Sequence, residues 1–105
     1  MAYKSNADAF FKKLEDSIAE GIDETTAYAE RSAKRRVKKD TGELKQSIHT
    51  IPARKTEDGK ISGALVSDAP HARYQEFGEN GKPFLRPAMK TARRNLIKRI
   101  RKHMD

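Results

Sequence analysis

The chain has 105 residues, of which 35% are hydrophobic and 36% charged, and its net charge is +8. That length suits one domain over residues 1–105, and the composition predicts a thin core that gains stability by associating with partners. Cysteine is absent, which excludes disulfides, thiolate nucleophiles and cysteine-ligated zinc, and no stretch approaches the roughly 20 apolar residues of a membrane span.

The first predicted element is a long helix over residues 1–39. Apolar side chains recur there at helical spacing, at Phe11, Leu14, Ile18, Ile22, Ala29, Ala33 and Val37. Gly21 lies within the pattern, so a bend or break at that point is an open alternative. At about 1.5 Å per residue the helix is longer than a compact body of this size needs. We therefore expect part of it to project or to lie against a neighbour.

Turn-forming residues follow the helix. Asp40-Thr41-Gly42 is expected to end it, because Gly42 can adopt the positive φ that terminates helices and Asp and Thr favour turns. The spacing of Leu44 and Ser47 then suits a single helical turn.

A small antiparallel sheet is predicted within residues 40–82. Strands are expected from about Ser47 to Arg54 and from Ile61 to Ser67, joined by a turn at Asp58-Gly59. The segment Ala72–Phe77 is predicted as a third strand. The fold class is therefore α+β, with a sheet of three to four strands between two helices.

The last predicted element is a basic helix within residues 83–105, from about Pro87 to His103. Its apolar stripe is assigned to the core, and lysines and arginines crowd its other faces. The candidate basic docking face comprises Lys90, Arg93, Arg94, Lys98 and Arg101. Such a face can contact nucleic acid or an acidic protein surface, although charge on a helix is more often only solvated.

The sequence predicts no catalytic, cofactor or metal site. The three histidines, His49, His71 and His103, lack metal-ligand spacing. Ser47 and His49 would share a strand face, but no acid is placed by sequence to orient the imidazole. We therefore expect no enzymatic activity and no cofactor.

The segment from His71 to Ala88 has the highest density of residues that dictate backbone shape, with two glycines and two prolines. Three motifs occur in order along the chain: Asp40-Thr41-Gly42-x-Leu44-x-x-Ser47-Ile48, Ala72-x-Tyr74-x-Glu76-Phe77-Gly78 and Pro83-Phe84-Leu85-Arg86-Pro87-Ala88. The series resembles the gene-product-ten-like morphogenesis proteins of Hong Kong-type lambdoid phages. The resemblance extends over roughly residues 30–100.

The resemblance implies a small tail-completion or neck protein that helps to join the DNA-filled head to a long tail. It implies a homo-oligomeric ring, for which we expect six-fold symmetry, in contact with the phage connector and with tail-tube or tail-terminator proteins. The expected location is the head–tail junction of the virion, after assembly in the cytoplasm of the host bacterium. We expect the basic face to dock on acidic protein, because channel walls that grip DNA would hinder its exit. A transient DNA contact stays open.

The motif residues also suggest contacts. Arg86 is expected to bind a carboxylate of the same or an adjacent subunit, with Glu76 as the candidate partner, and simple loop closure within one subunit is an equal alternative. Phe77 and Phe84 are predicted as core anchors, so alanine at either should cost ~3–5 kcal/mol. The candidate assembly residues are Asp40, Thr41, Gly42, Leu44, Ser47, Tyr74, Glu76, Phe77, Gly78, Pro83, Phe84, Arg86 and Pro87.

A second functional class is a small basic nucleic-acid-binding protein that uses the Arg/Lys-rich C-terminal helix. The charge of +8 supports it, since such a helix can neutralise several phosphates. No helix-turn-helix spacing, zinc finger or aromatic platform for bases is evident in the sequence. Salt separates the two classes, because phosphate-driven binding collapses between about 50 and 200 mM salt and ring assembly on apolar loops does not.

Overall fold

The structure, a computed structural model, describes residues 2–37, 42–69, 72–78, 81 and 83–105. Its elements in chain order are α1 (Ala2–Arg36), α2 (Gly42–Ser47), β1 (Ile48–Lys55), β2 (Ile61–Ser67), α3 (Ala72–Phe77), α4 (Leu85–Arg93) and α5 (Leu96–Met104). The α+β class, the long N-terminal helix and the antiparallel sheet are confirmed.

Helix α1 has 35 residues and runs through Gly21 without a break. At about 1.5 Å per residue it is roughly 52 Å long, close to the 60 Å long dimension of the molecule. Residues 7–13 are all exposed, and Phe10 and Phe11 are 54% and 58% exposed. The early turns of α1 therefore carry apolar surface that the other described residues leave uncovered.

Strands β1 and β2 form an antiparallel hairpin, with Ile48 opposite Ser67 and Lys55 opposite Ile61. The predicted Asp-Gly turn is confirmed, since Gly59 adopts a φ of +85°, in the left-handed region that glycine enters without steric cost. The pairing is irregular between Ile51 and Arg54. Ala53 N–H, within that irregular stretch, donates to Asp23 Oδ1 at 2.7 Å, which ties the hairpin to α1.

The predicted third strand is wrong, because Ala72–Phe77 forms helix α3. Among the described residues the sheet has two strands rather than three or four. Ala72 and Glu76 lie four residues apart and are both buried, which is helical periodicity. Phe77 is 66% exposed, so its assignment to the core is wrong as well, whereas Phe84 is 1% exposed and is confirmed.

The turn at residues 40–42 is described only in part. Asp40 and Thr41 lie outside the described residues. Helix α1 ends at Arg36 and Gly42 is the first residue of α2, so the prediction that Gly42 ends the long helix is wrong. The predicted helical turn around Leu44 and Ser47 is confirmed by α2.

The basic C-terminal segment forms two helices instead of one, with a break at Arg94 and Asn95. Arg94 N–H and Asn95 N–H each donate three residues back, to Thr91 O and Ala92 O at 3.3 Å, so the last turn of α4 is tightened. The guanidinium of Arg99 donates to Ala92 O at 2.7 Å. A cation at the carboxyl end of α4 is favoured by the helix dipole and stabilises the break.

The core is thin, as the composition predicts, and lies where the second half of α1 meets α2, α3, β1 and α4. Its largest fully buried side chains are Phe84 and Ile48. The buried cluster comprises Ala33, Leu44, Ile48, Ala72, Phe84 and Ala88.

Helix α5 packs along the middle of α1, around Gly21 and Thr25. At Gly21 a Cβ atom would lie 3.0 Å from the backbone N and Cα of Ile100, so glycine permits the close approach of the two helices. Beyond it, Lys102 Nζ lies 2.9 Å from Glu24 Oε2, and His103 contacts Glu20 and Glu24. Hydrogen bonds from Lys102 and His103 hold the pKa of Glu24 below its ordinary value. Among the helices described here, none combines the length and apolarity needed to cross a membrane.

Candidate functional site

Residues of the three sequence motifs meet at one end of the molecule. Leu44 of the first motif and Phe84 of the third lie in the same buried cluster, and Glu76 of the second hydrogen-bonds the backbone of Phe84. The backbone of Tyr74 lies in α3, and Gly78 directly follows that helix. The motifs are therefore close in space although nearly fifty residues separate the first from the last.

The carboxylate of Glu76 caps the start of α4. It is 4% exposed, and its Oε1 accepts hydrogen bonds from Phe84 N–H at 2.9 Å and Leu85 N–H at 2.8 Å. Its Oε2 accepts from Arg86 N–H at 3.1 Å and Arg86 Nε at 2.8 Å. The first N–H groups of a helix have no partner within it, and its dipole favours an anion at that end. Phe84, the residue at the N-cap position, makes no capping side-chain bond, so α3 supplies the cap for α4.

The environment of Glu76 keeps it ionised at neutral pH. Burial of the carboxyl group is the largest single influence and raises the pKa. Hydrogen bonds from Leu85, Phe84 and Arg86 together outweigh burial, and the pKa of Glu76 lies below its ordinary value. The carboxylate is thus a charged group held inside the fold by four donors.

Arg86 connects this buried cap to the surface. Its Nη2 donates to the backbone carbonyl of Glu76 at 2.7 Å, in addition to the bond from Nε to the carboxylate. The guanidinium lies 4.7 Å from the ring centroid of Phe77, a cation–π contact. The Arg86 side chain is 61% exposed and Phe77 is 66% exposed. The ion pair lies within one subunit, which supports the loop-closure alternative, and it fixes an exposed aromatic–cation pair.

The surroundings of that pair are proline-rich and partly apolar. A shallow pocket on one side of Arg86 is lined by Pro83, Pro87 and Lys90. A second pocket on the other side is lined by Ser67, Ala72, Arg73, Glu76, Phe77, Leu85 and Arg86. We name the Phe77–Arg86 pair with Pro83 and Pro87 the cap surface.

The hydroxyl of Ser47 makes hydrogen bonds that join elements of the fold. It donates to Leu44 O at 2.6 Å and lies 2.5 Å from Ser67 Oγ, which joins the end of α2 to the end of β2. His49 Nδ1 lies 2.9 Å from the backbone carbonyl of Ser47, so the imidazole does not engage the hydroxyl. In the described part of the chain no three metal-ligating side chains come together.

The predicted basic docking face is exposed on α4 and α5. Its members Lys90, Arg93, Arg94, Lys98 and Arg101 are all exposed. None of them forms an ion pair with an acid in the ranges that the structure describes.

Sequence reasoning missed that Glu76 is buried and Phe77 exposed. One signal for this was available in the residues. Helix α4 begins after Pro83-Phe84, with no Ser, Thr, Asp or Asn at its N-cap. A buried helix start without a capping residue has free N–H groups that need an acceptor from another element. Glu76 is the acidic residue that α3 places on its buried face.

Comparison with known proteins gives one match. The sequence model of a protein family described as "Bacteriophage HK97-gp10, putative tail-component" matches residues 2–78, more than half of the chain. The matched region includes α1, the hairpin and α3 with Glu76 and Phe77, and it ends before the Pro83–Ala88 motif. No curated protein and no solved structure gives a significant match.

Proposed function

The chain belongs to the bacteriophage HK97-gp10-like family, and on that premise we propose that it is a non-enzymatic structural protein that acts in head–tail joining or tail completion. The observation that carries the proposal is the family match over residues 2–78, since the family is described as a tail component. The particle is that of a tailed phage or prophage. The protein is built in the host cytoplasm and resides at the head–tail junction.

In this proposal the subunits form a homo-oligomeric ring with six-fold symmetry. The ring lies between the connector and the tail-tube or tail-terminator proteins. A ring of identical subunits needs two different surfaces that contact each other head to tail. The chain has two separated regions with exposed aromatic side chains, at Phe10 and Phe11 on α1 and at Phe77 in the cap surface. Exposed apolar side chains mark interaction sites where they cluster, and in the cap surface the Glu76–Arg86 ion pair holds Arg86 beside Phe77.

The first test is disruption of the gene in the phage, followed by electron microscopy of the lysate. Joining predicts full heads beside unattached tails, with normal particles restored when the gene is supplied in trans. Intact, infectious virions from the disrupted phage would refute the proposal.

A second test addresses the ring and the cap surface. Cross-linking of wild-type virions should give a ladder of this protein that stops at six copies. Complementation with Phe77→Ala should leave heads and tails unjoined, whereas Glu57→Ala, at an exposed position of the hairpin turn, should restore joining. Equal rescue by both variants would show that the cap surface is not part of the assembly contact.

A further inference from the structure

The basic residues of α5 fall into two groups according to what they contact. On the side that faces α1, Lys102 and His103 bind acids, and Arg99 donates to Thr25 Oγ1 at 3.1 Å and to the end of α4. On α4, on α5 and at the break between them five further cations are exposed and have no acidic partner within residues 2–37, 42–69, 72–78, 81 and 83–105. The five are Lys90, Arg93, Arg94, Lys98 and Arg101.

Four of these five cations form a row along the outer face of α4 and α5, whereas Arg93 lines a pocket with Thr25 of α1 and Ser62 of β2. Lys90 and Arg94 lie four residues apart at the end of α4, and Lys98 and Arg101 lie three residues apart on α5, the intervals that align side chains on one face of a helix. Arg94 has helical dihedral angles, with φ −56° and ψ −29°, whereas Asn95, with φ −109° and ψ 14°, does not. At about 1.5 Å per residue the row is roughly 16 Å long. Duplex DNA carries about one negative charge per 1.7 Å of its axis, so a row of this length can contact several phosphates.

The composition of the face favours a phosphate polymer over an acidic protein. The centres of protein–protein interfaces are enriched in aromatic residues, methionine and arginine but depleted of charged residues as a class, whereas protein–DNA interfaces are far more positive. Among the described residues Ile97 is the one large hydrophobic residue exposed on α4 and α5. All exposed phenylalanines of the described chain lie elsewhere, on α1 and in the cap surface.

We propose that the outer face of α4 and α5 binds the phosphate backbone of duplex DNA without regard to sequence. This replaces the expectation, drawn from the sequence, that the face docks on acidic protein. Contacts of this kind let a protein slide along DNA, so they are compatible with DNA that moves past the protein. The proposal does not depend on the proposed function.

The test measures the binding of a fluorescein-labelled 20-base-pair duplex by anisotropy between 50 and 200 mM KCl. Four phosphate contacts predict a slope of about −3.6 in log K against log[salt], which is a loss of roughly 150-fold over that range. The variant Lys98→Gln/Arg101→Gln should reduce the magnitude of the slope by about 1.8. The matched control, Lys13→Gln/Lys45→Gln, removes the same charge at exposed positions on α1 and α2 and should keep the wild-type slope.

Two results would overturn the proposal. One is the absence of binding at 50 mM KCl. The other is an equal decrease in the magnitude of the salt slope in both double variants, which would show that net charge rather than this face causes the binding. The exposed positions of all four substitutions predict unchanged folding, which circular dichroism verifies for each protein. Loss of head–tail joining in the phage and loss of DNA binding in solution are separate readouts, so either proposal can fail alone.

Discussion

Replacement of Glu76 by glutamine should destabilise the fold by about 3 kcal/mol. The glutamine carbonyl can still accept from Phe84 N–H and Leu85 N–H, but its NH₂ group would face two donors of Arg86, the backbone N–H and Nε. Hydrogen bonds to charged groups contribute roughly 1.5–3 kcal/mol each, and a donor left unsatisfied costs about 1–3 kcal/mol. The Arg86 side chain is largely exposed, so water can replace part of the lost hydrogen bond to Nε. The expected loss of stability therefore lies in the lower half of the sum of these ranges.

Urea unfolding followed by circular dichroism at 222 nm, at pH 7, measures this loss. A change of 3 kcal/mol should also lower the Tm of a domain of this size by roughly 10–20 °C. The control is Glu57→Gln, an equally conservative change at an exposed carboxylate in the hairpin turn, which should stay within about 0.5 kcal/mol of the wild type.

The difference in stability between the wild type and Glu76→Gln should depend on pH, and this dependence tests whether the difference is electrostatic. The pKa of Glu76 is lowered in the folded state, so its contribution is fully present above the ordinary value of 4.5 and is lost as the pH falls through the folded pKa. The stability gap between wild type and Glu76→Gln should therefore shrink on acidification. A variant within about 0.5 kcal/mol of the wild type at pH 7, or a gap that does not change with pH, would refute the assignment of Glu76 as the cap of α4.

Three further predictions concern the packing of α5 on α1 and the burial of two phenylalanines. Gly21→Ala should lower the free energy of unfolding, measured in urea, by about 1–3 kcal/mol, because the new Cβ would meet the backbone of α5. Alanine is the better helix former, so a stabilised variant would contradict this packing. Lys102→Gln should raise the pKa of Glu24 towards its ordinary value, as measured by carboxyl ¹³C NMR, and an unchanged pKa would remove that contact from solution. Phe77→Ala should lower the free energy of unfolding by less than about 1 kcal/mol, whereas Phe84→Ala should lower it by ~3–5 kcal/mol. Similar losses of unfolding free energy in the two variants would show that Phe77 is buried.

Elements with local causes could be predicted from the sequence. The heptad-like spacing of apolar residues predicts α1, and Asp58-Gly59 between two β-rich segments predicts the hairpin. In each case the residues that determine the element lie within it. The return strand Ile61–Ser67 has the predicted bounds for the same reason.

Elements that depend on distant partners could not be predicted. In α3 the inward residue is the charged Glu76 and the outward one is the aromatic Phe77, the reverse of the usual rule, so hydropathy suggested a strand. The reason lies eight to ten residues later, in the free N–H groups at the start of α4. Likewise the apolar stripe of the C-terminal segment continues through Asn95, and the break there is stabilised by the side chain of Arg99.

The docking of α5 on α1 has a consequence for the order in which the protein folds. The hairpin and the Glu76 cap join residues at most about twenty positions apart, so both can form early and fast. The contacts of α5 with Glu24 and Thr25 join residues 74 to 79 positions apart and close the longest loop of the fold. During synthesis α1 leaves the ribosome before α5. Until α5 arrives, the Gly21 face of α1 stays open to other chains, and crowded nascent subunits are most prone to misassociation in that interval.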